Sequence, residues 1–154
     1  MQTRAALYLV ARARGFYDLI NAGQIEAASL ILAEACIDYA SPPELRTGRA
    51  AFQAAYHRLA VVLHQPLFDI TDLFAAEDER VVAIMTVRGT QTGPFQGIPP
   101  TTPPRLIALP AIHVLRFRHH LIVERWEATH LAHLIQQVGA AIDVPIASDL
   151  SDSG

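Results

Sequence analysis

An α+β fold, with helices laid on one face of a curved antiparallel sheet, is what this sequence predicts. Three observations carry that expectation. Apolar residues up to Leu63 recur at three-to-four spacing, the period of a helix with one buried face. From Phe68 onward the period shortens to the alternation of strands. The main helices precede the main run of strands, an order that segregates the two kinds of element into layers. With 154 residues, the chain is one domain by size and long enough to bury a core.

The elements follow in order. Leu9, Ala13, Phe16, Tyr17 and Ile20 form the stripe of a first helix over 5–21, and Asn21-Ala22-Gly23 stops it. A short second helix is expected over 24–32, with Ile25, Ala28 and Leu32 on one side. Residues 36–40 read as a short extended piece ended by Ser41-Pro42-Pro43. Thr47 or Gly48 opens a third helix with the apolar line Phe52, Tyr56, Leu59 and Leu63, and Pro66 ends it.

Strands are expected over 68–76 and 81–92, joined by the charged turn Glu77-Asp78-Glu79. The second of these begins apolar on both faces, which places it centrally in the sheet. Five prolines and two glycines between Gly93 and Pro104 mark a loop. Residues 106–117 and 122–129 then form a hairpin. A last short helix over 131–138 is stopped by Gly139, and the polar tail over 145–154 is expected to be mobile, leaving 1–144 as the domain.

Composition narrows the function. Net charge is −3 with no basic stripe, so nucleic acid is not an expected partner. No apolar run reaches the ~18–20 residues of a membrane span. The best candidate, 59–68, is interrupted by His64, Gln65 and Pro66. The N-terminal arginines are not followed by an apolar run and cleavage site, so a cytoplasmic location is expected. The sequence contains no lysine, which excludes a Schiff-base lysine.

Cys36 is the single cysteine, reads as a small core residue, and permits no internal disulfide. His119-His120 and the His130/His133 pair lack a third ligand at a recognised spacing, so no metal is expected. The Gly93–Gly97 segment fits neither the P-loop nor the dinucleotide fingerprint, so no nucleotide cofactor is expected either.

The hairpin places the candidate chemistry. Its odd positions Ile107, Leu109, Ala111, His113, Leu115 and Phe117 make an apolar face with one polar member, while Arg116 and Arg118 point outward. With His119-His120 as a two-residue turn, Arg118 meets Leu121 and His113 falls opposite Trp126 on the same face. Arg125 and Glu127 then read as an exposed pair, and His130 lies opposite Leu109, roughly 13 Å along the strand from His113. By itself His113 is either a hydrogen-bonded core histidine or a pocket residue. His130, between strand and helix, is either a cap or a functional group. Phe16, Tyr17, Phe52 and Tyr56 sit at core spacing and suit either packing or pocket lining.

Four segments then point to a family. They are Val-Arg-Gly-Thr-Gln-Thr-Gly-Pro-Phe-Gln-Gly-Ile-Pro-Pro-Thr at 87–101, Ile-His-Val-Leu-Arg-Phe-Arg at 112–118, Leu-Ile-Val-Glu-Arg-Trp-Glu-Ala-Thr-His at 121–130 and Leu-Ile-Gln-Gln-Val-Gly at 134–139. Together they resemble the SnoaL-like polyketide cyclases, small enzymes on the nuclear-transport-factor-two-like cone. The resemblance implies an α+β barrel, a curved sheet wrapped by N-terminal helices into a cone with an apolar pocket. It further implies a cofactor-free acid/base cyclase, a small polyketide-like substrate and a homodimer or homotetramer.

The family pattern places an acid/base four residues after Trp126, and here that position is His130, whose imidazole titrates near neutrality. His113 is implied as a second acid/base or carbonyl-polarising donor. Asp38-Tyr39-Ala40-Ser41-Pro42 resembles a family Asp-His-Ala-Pro stretch and implies Asp38 and Tyr39 as further catalytic candidates. Trp126, Phe16, Tyr17, Phe52, Tyr56, Phe95 and Leu115 are the expected substrate wall.

Three departures stand out: His130 for aspartate, Tyr39 for histidine, and Thr102-Pro103-Pro104 where the family tends to have Thr-Gly-Arg. Aldol closure of a carbon ring is the implied reaction. Oxygen-ring closure by hydroxyl attack on an epoxide, ketone or enone, dehydration or isomerisation, and a ligand-binding module remain alternatives.

Overall fold

The computed structural model describes residues 2–95 and 97–129. Helix α1 spans Arg4–Asn21 and α2 Ile25–Ser29. Strand β1 (Leu32–Asp38) and a 3-10 turn at Pro43–Leu45 lead to helix α3 (Arg49–Val62). Then come β2 (Leu63–Ala76), β3 (Arg80–Gln91), β4 (Leu106–Arg118) and β5 (Leu121–Thr129). The five strands form one sheet in the order β1-β5-β4-β3-β2. All neighbours are antiparallel except β1, which returns parallel to β5 and extends the sheet beyond the hairpin. The sheet is curved, with the helices on its concave side.

Helix α1 forms because its apolar residues fall on one stripe and its ends are satisfied. The Thr3 hydroxyl accepts from the Ala6 N–H at the start. Gly23, at φ +74°, turns the chain so that its own N–H and that of Gln24 reach the carbonyls of Ile20 and Leu19. Ala13, Phe16, Tyr17 and Ile20 are buried against the sheet. Burying a side chain the size of Phe16 stabilises by about 1.5–3 kcal/mol. Asn21 ties the helix to β2 twice: its amide donates to the Phe68 carbonyl at 2.9 Å and its carbonyl accepts from the Phe68 N–H at 2.8 Å.

Three expected boundaries move, the first being the extended piece expected over 36–40, which runs instead over Leu32–Asp38. The second helix ends at Ser29, because Leu32 begins the strand that pairs with β5. After α3, the chain enters β2 directly at Leu63 rather than at Phe68. Pro66 does not exclude a strand here, since the ladder slips between His64 and Leu67, leaving Gln65 at φ 49° in an irregularity that needs no donor from the proline. On β4 the alternation reads as expected, with Ile107, Leu109, Ala111, His113, Leu115 and Phe117 all buried.

Close packing at the end of α3 yields a test. A Cβ on Gly93 would fall on the Val61 carbonyl, and that backbone cannot give way without moving α3. Gly93→Ala is expected to cost about 2–3 kcal/mol, which for a chain of this size lowers the melting temperature by roughly 5–10 °C. Calorimetry reads it directly. A loss below about 1 kcal/mol would mean that the loop after β3 shifts freely.

Candidate active site

The concave side of the sheet holds a chain of polar groups in an otherwise apolar interior. His113, on the inner face of β4, is 1% exposed. Its Nδ1 lies 3.0 Å from the phenolic oxygen of Tyr17 on α1. Its Nε2 lies 3.4 Å from Oε2 of Glu127 on β5, close enough for an electrostatic contact but too poorly aligned for a hydrogen bond. Arg125, two residues back along β5, donates from Nη2 to the same Glu127 oxygen at 3.3 Å and from Nη1 to Oδ2 of Asp38 at 2.7 Å. Asp38 in turn accepts from the Ala40 N–H at 3.0 Å. The sequence of contacts is therefore Tyr17, His113, Glu127, Arg125, Asp38.

A cavity of about 180 Å³ opens onto this chain. Tyr17, Asp38, Phe52, Tyr56, Phe68, Leu109, Arg125, Glu127 and Thr129 are among its walls. A second space of about 160 Å³ shares Leu59, Leu109, Glu127 and Thr129 with the first and adds Phe95. Glu127 thus borders both, and 31% of its side chain stays accessible.

Burial sets the protonation states. It pushes the His113 imidazole well below 6.5, with the Arg125 charge adding to the effect, so the ring is neutral. It pushes the Tyr17 phenol up against the opposing pull of Arg125, so the hydroxyl keeps its proton. Glu127 is raised above 4.5, again chiefly by burial, with Asp38 adding to the rise and Arg125 opposing it. Arg125 is itself deeply buried, which works against its charge, yet Asp38 and Glu127 together outweigh that and hold it protonated.

The model of the family described as SnoaL-like polyketide cyclase matches residues 11–138. This chain belongs to the SnoaL-like polyketide cyclase family.

Solved structures agree on the fold. AclR from Streptomyces galilaeus, provisionally assigned as a hydroxylase, is 20% identical with a TM-score of 0.75, over 91% of this chain and 90% of that one. TsrD from Streptomyces laurentii is 25% identical with a TM-score of 0.74, over 92% and 100%. IdmH from Streptomyces antibioticus, provisionally assigned as a polyketide cyclase, is 21% identical with a TM-score of 0.72, over 86% and 99%. No curated protein sequence matches significantly.

The family resemblance pointed to Trp126 and Tyr39 as pocket residues, and the structure places both elsewhere. The hairpin turns at His119-His120 with both residues at positive φ, and Arg118 meets Leu121 as expected. The register then slips: Phe117 pairs with Ile122 but Arg116 with Glu124, leaving Val123 as an extra residue. From Glu124 onward every side chain changes face. His113 therefore faces Glu127 instead of Trp126. Arg125, expected to be exposed, is buried, while Glu127 stays exposed as expected but turns its carboxylate toward His113.

Trp126 stacks outside the cavity on Tyr39, with ring centroids 5.2 Å apart and planes 10° from parallel. The Tyr39 phenol donates to Glu124 at 2.9 Å, and Glu124 also pairs with Arg116. Neither Tyr39 nor Trp126 lines the SnoaL-like cavity.

Among the other expected site residues, Asp38, Tyr17, Phe52 and Tyr56 line the main cavity and Phe95 the adjoining one. Phe16 packs behind them, against Tyr17 and Phe52, and Leu115 is fully buried core away from either space. His130, the helix expected over 131–138 and the tail over 145–154 lie outside the described residues. Among the described residues, no group of three or more His, Cys, Asp or Glu could hold a metal, and no helix is long and apolar enough to cross a membrane.

A buried neutral histidine couples stability to pH. Below pH 6.5 the unfolded chain protonates His113 while the folded chain does not. The unfolded state then binds more protons, so the histidine's contribution is whole above pH 6.5 and declines as pH falls below it. Glu127 acts in the opposite sense: its raised folded value gives stability at low pH that is lost as pH rises through that value. Melting curves of wild type and His113→Asn across mildly acidic pH isolate the histidine. The wild type is expected to lose stability more steeply on acidification, and parallel curves would refute a neutral buried imidazole.

Proposed function

We propose that this protein is a cofactor-free acid/base cyclase that closes a carbon ring in a polyketide-type intermediate. The observation that carries the reading is Glu127, a carboxylate with a raised pKa on the wall of an apolar cavity, held between a neutral histidine and a buried arginine. A carboxylate of raised pKa is a stronger base than an ordinary one. Glu127 takes the proton from a carbon between two carbonyls. The resulting enolate attacks a second carbonyl carbon of the same molecule, the new carbon–carbon bond forms, and the alkoxide recovers the proton from Glu127. No atom is gained or lost.

Tyr17 and Arg125 supply the fixed electrostatics. A phenol and a guanidinium already oriented in a dry interior stabilise developing negative oxygen without reorganising. His113, neutral, positions the Tyr17 hydroxyl, and Arg125 holds the Glu127 carboxylate. The apolar walls Phe52, Tyr56, Phe68 and Leu109 hold the folded substrate with its reacting atoms close. His130 remains a second proposed proton carrier on the family pattern after Trp126.

The test is turnover by wild type of two probes, a short poly-β-keto chain able to close by aldol addition and an epoxy alcohol able to close by ether formation. Carbon-ring closure is the expected result. Ether closure alone would move the reaction to oxygen heterocycles, and binding of both probes without turnover would make the protein a ligand-binding module.

A further inference from the structure

Among the described residues, the cavity carries one cation that no other group engages. Helix α3 sends Phe52, Ala55, Tyr56 and Leu59 to the cavity wall, four positions on a single helical face. Arg58 lies about 110° round the helix from the middle of that face. It is exposed and yet lines the cavity, which puts it at the rim. Among the described residues Arg58 has no hydrogen bond, ion pair or ring contact. The other charged residues on the wall are all engaged: Arg125 holds Asp38 on one side and Glu127 on the other.

Charge bookkeeping on the wall leaves Arg58 over. Asp38 and Arg125 cancel, and Glu127 alternates between charged and neutral as it moves a proton. A guanidinium offers a planar fork of donors that matches a carboxylate with two parallel hydrogen bonds. An apolar pocket with such a fork at its mouth sorts amphiphilic ligands by orientation, the ring or chain inward and the acid outward.

We propose that the substrate carries a free carboxylate and that Arg58 binds it at the rim, fixing which end of the molecule reaches Glu127. The inference rests on the reading of this cavity as the substrate site. It predicts a preference for a free acid over its ester. It also assigns the preceding step to a reaction that releases a carboxylate, such as hydrolysis of an ester or thioester.

The test is calorimetric binding of naphthoate and its methyl ester to wild type, Arg58→Gln and Arg118→Gln. The last removes an equal charge from the hairpin, away from the cavity. Wild type and Arg118→Gln are expected to prefer the acid by roughly tenfold to a hundredfold. Arg58→Gln is expected to bind acid and ester alike. Equal preference in wild type and Arg58→Gln overturns the inference, and so does equal loss in both variants, which would indicate only net charge. Failure of wild type to bind either probe also overturns it. Because binding is the readout, an Arg58-dependent preference without turnover of any ring-closing probe would sink the cyclase reading and leave this one standing.

Discussion

Glu127→Gln is expected to abolish ring closure, lowering kcat/KM by about 10²–10⁴, while the melting temperature changes little. Glutamine matches the carboxylate in shape and still offers an oxygen to Arg125, so the cavity keeps its form. What it loses is the ability to take a proton. The effect falls on kcat, because the lost interaction belongs to the transition state. The wild-type pH–rate profile adds a second reading. Activity rises as Glu127 deprotonates, and the raised pKa puts that rise above the ordinary carboxylate range of about 4.3. Activity of Glu127→Gln within tenfold of wild type would move the proton carrier elsewhere, with His130 the next residue to replace.

Arg125→Met is expected to be the most damaging single change to stability. The guanidinium is 6% exposed and its partner Asp38 3% exposed. Removing the cation leaves the Asp38 carboxylate buried without its counter-charge, a situation that typically costs about 3–5 kcal/mol. At roughly 2–4 °C per kcal/mol, the melting temperature falls by about 6–20 °C. The double variant Arg125→Met/Asp38→Asn separates pair from packing. It is expected to recover part of the loss, because the uncompensated charge is gone. A single variant as stable as wild type would mean that water reaches Asp38 once the arginine is removed.

Much of the fold was readable because it depends on periods. The α1 stripe from Ala13 to Ile20 and the strict alternation on β4 are each a direct record of which face is buried. The inner position of His113 followed from that alternation alone. The Arg125–Glu127 pair was not readable in the same way. Along β5 both faces mix charged and apolar residues, and the more apolar one, with Ile122, Trp126 and Ala128, is not the one that faces inward beyond Glu124, so alternation misleads. Only the slip at Val123 decides it, and a bulge leaves no residue signature when the extra position is an ordinary β-branched side chain. One clue was available: a buried imidazole needs polar neighbours, and Arg125 and Glu127 offer them where Trp126 does not. Tyr39 misled too. Asp38 is the last residue of β1 and Tyr39 lies in the turn after it, where its ring stacks on Trp126 and its phenol reaches Glu124, so only Asp38 lines the cavity.

The extra residue at Val123 works as a phase shifter. The hairpin carries two messages on alternate letters of β5, one aromatic and one ionic, and the bulge selects which is read by the interior and which by the exterior. A deletion of one residue between the turn and Glu124 would exchange them wholesale, offering the ligand an indole in place of a guanidinium and a carboxylate. Diversification of such a scaffold need not proceed through substitution of pocket residues one at a time. A single change of length in one short connection can replace the whole contribution of β5 to the lining in a step, while every individual residue stays the same.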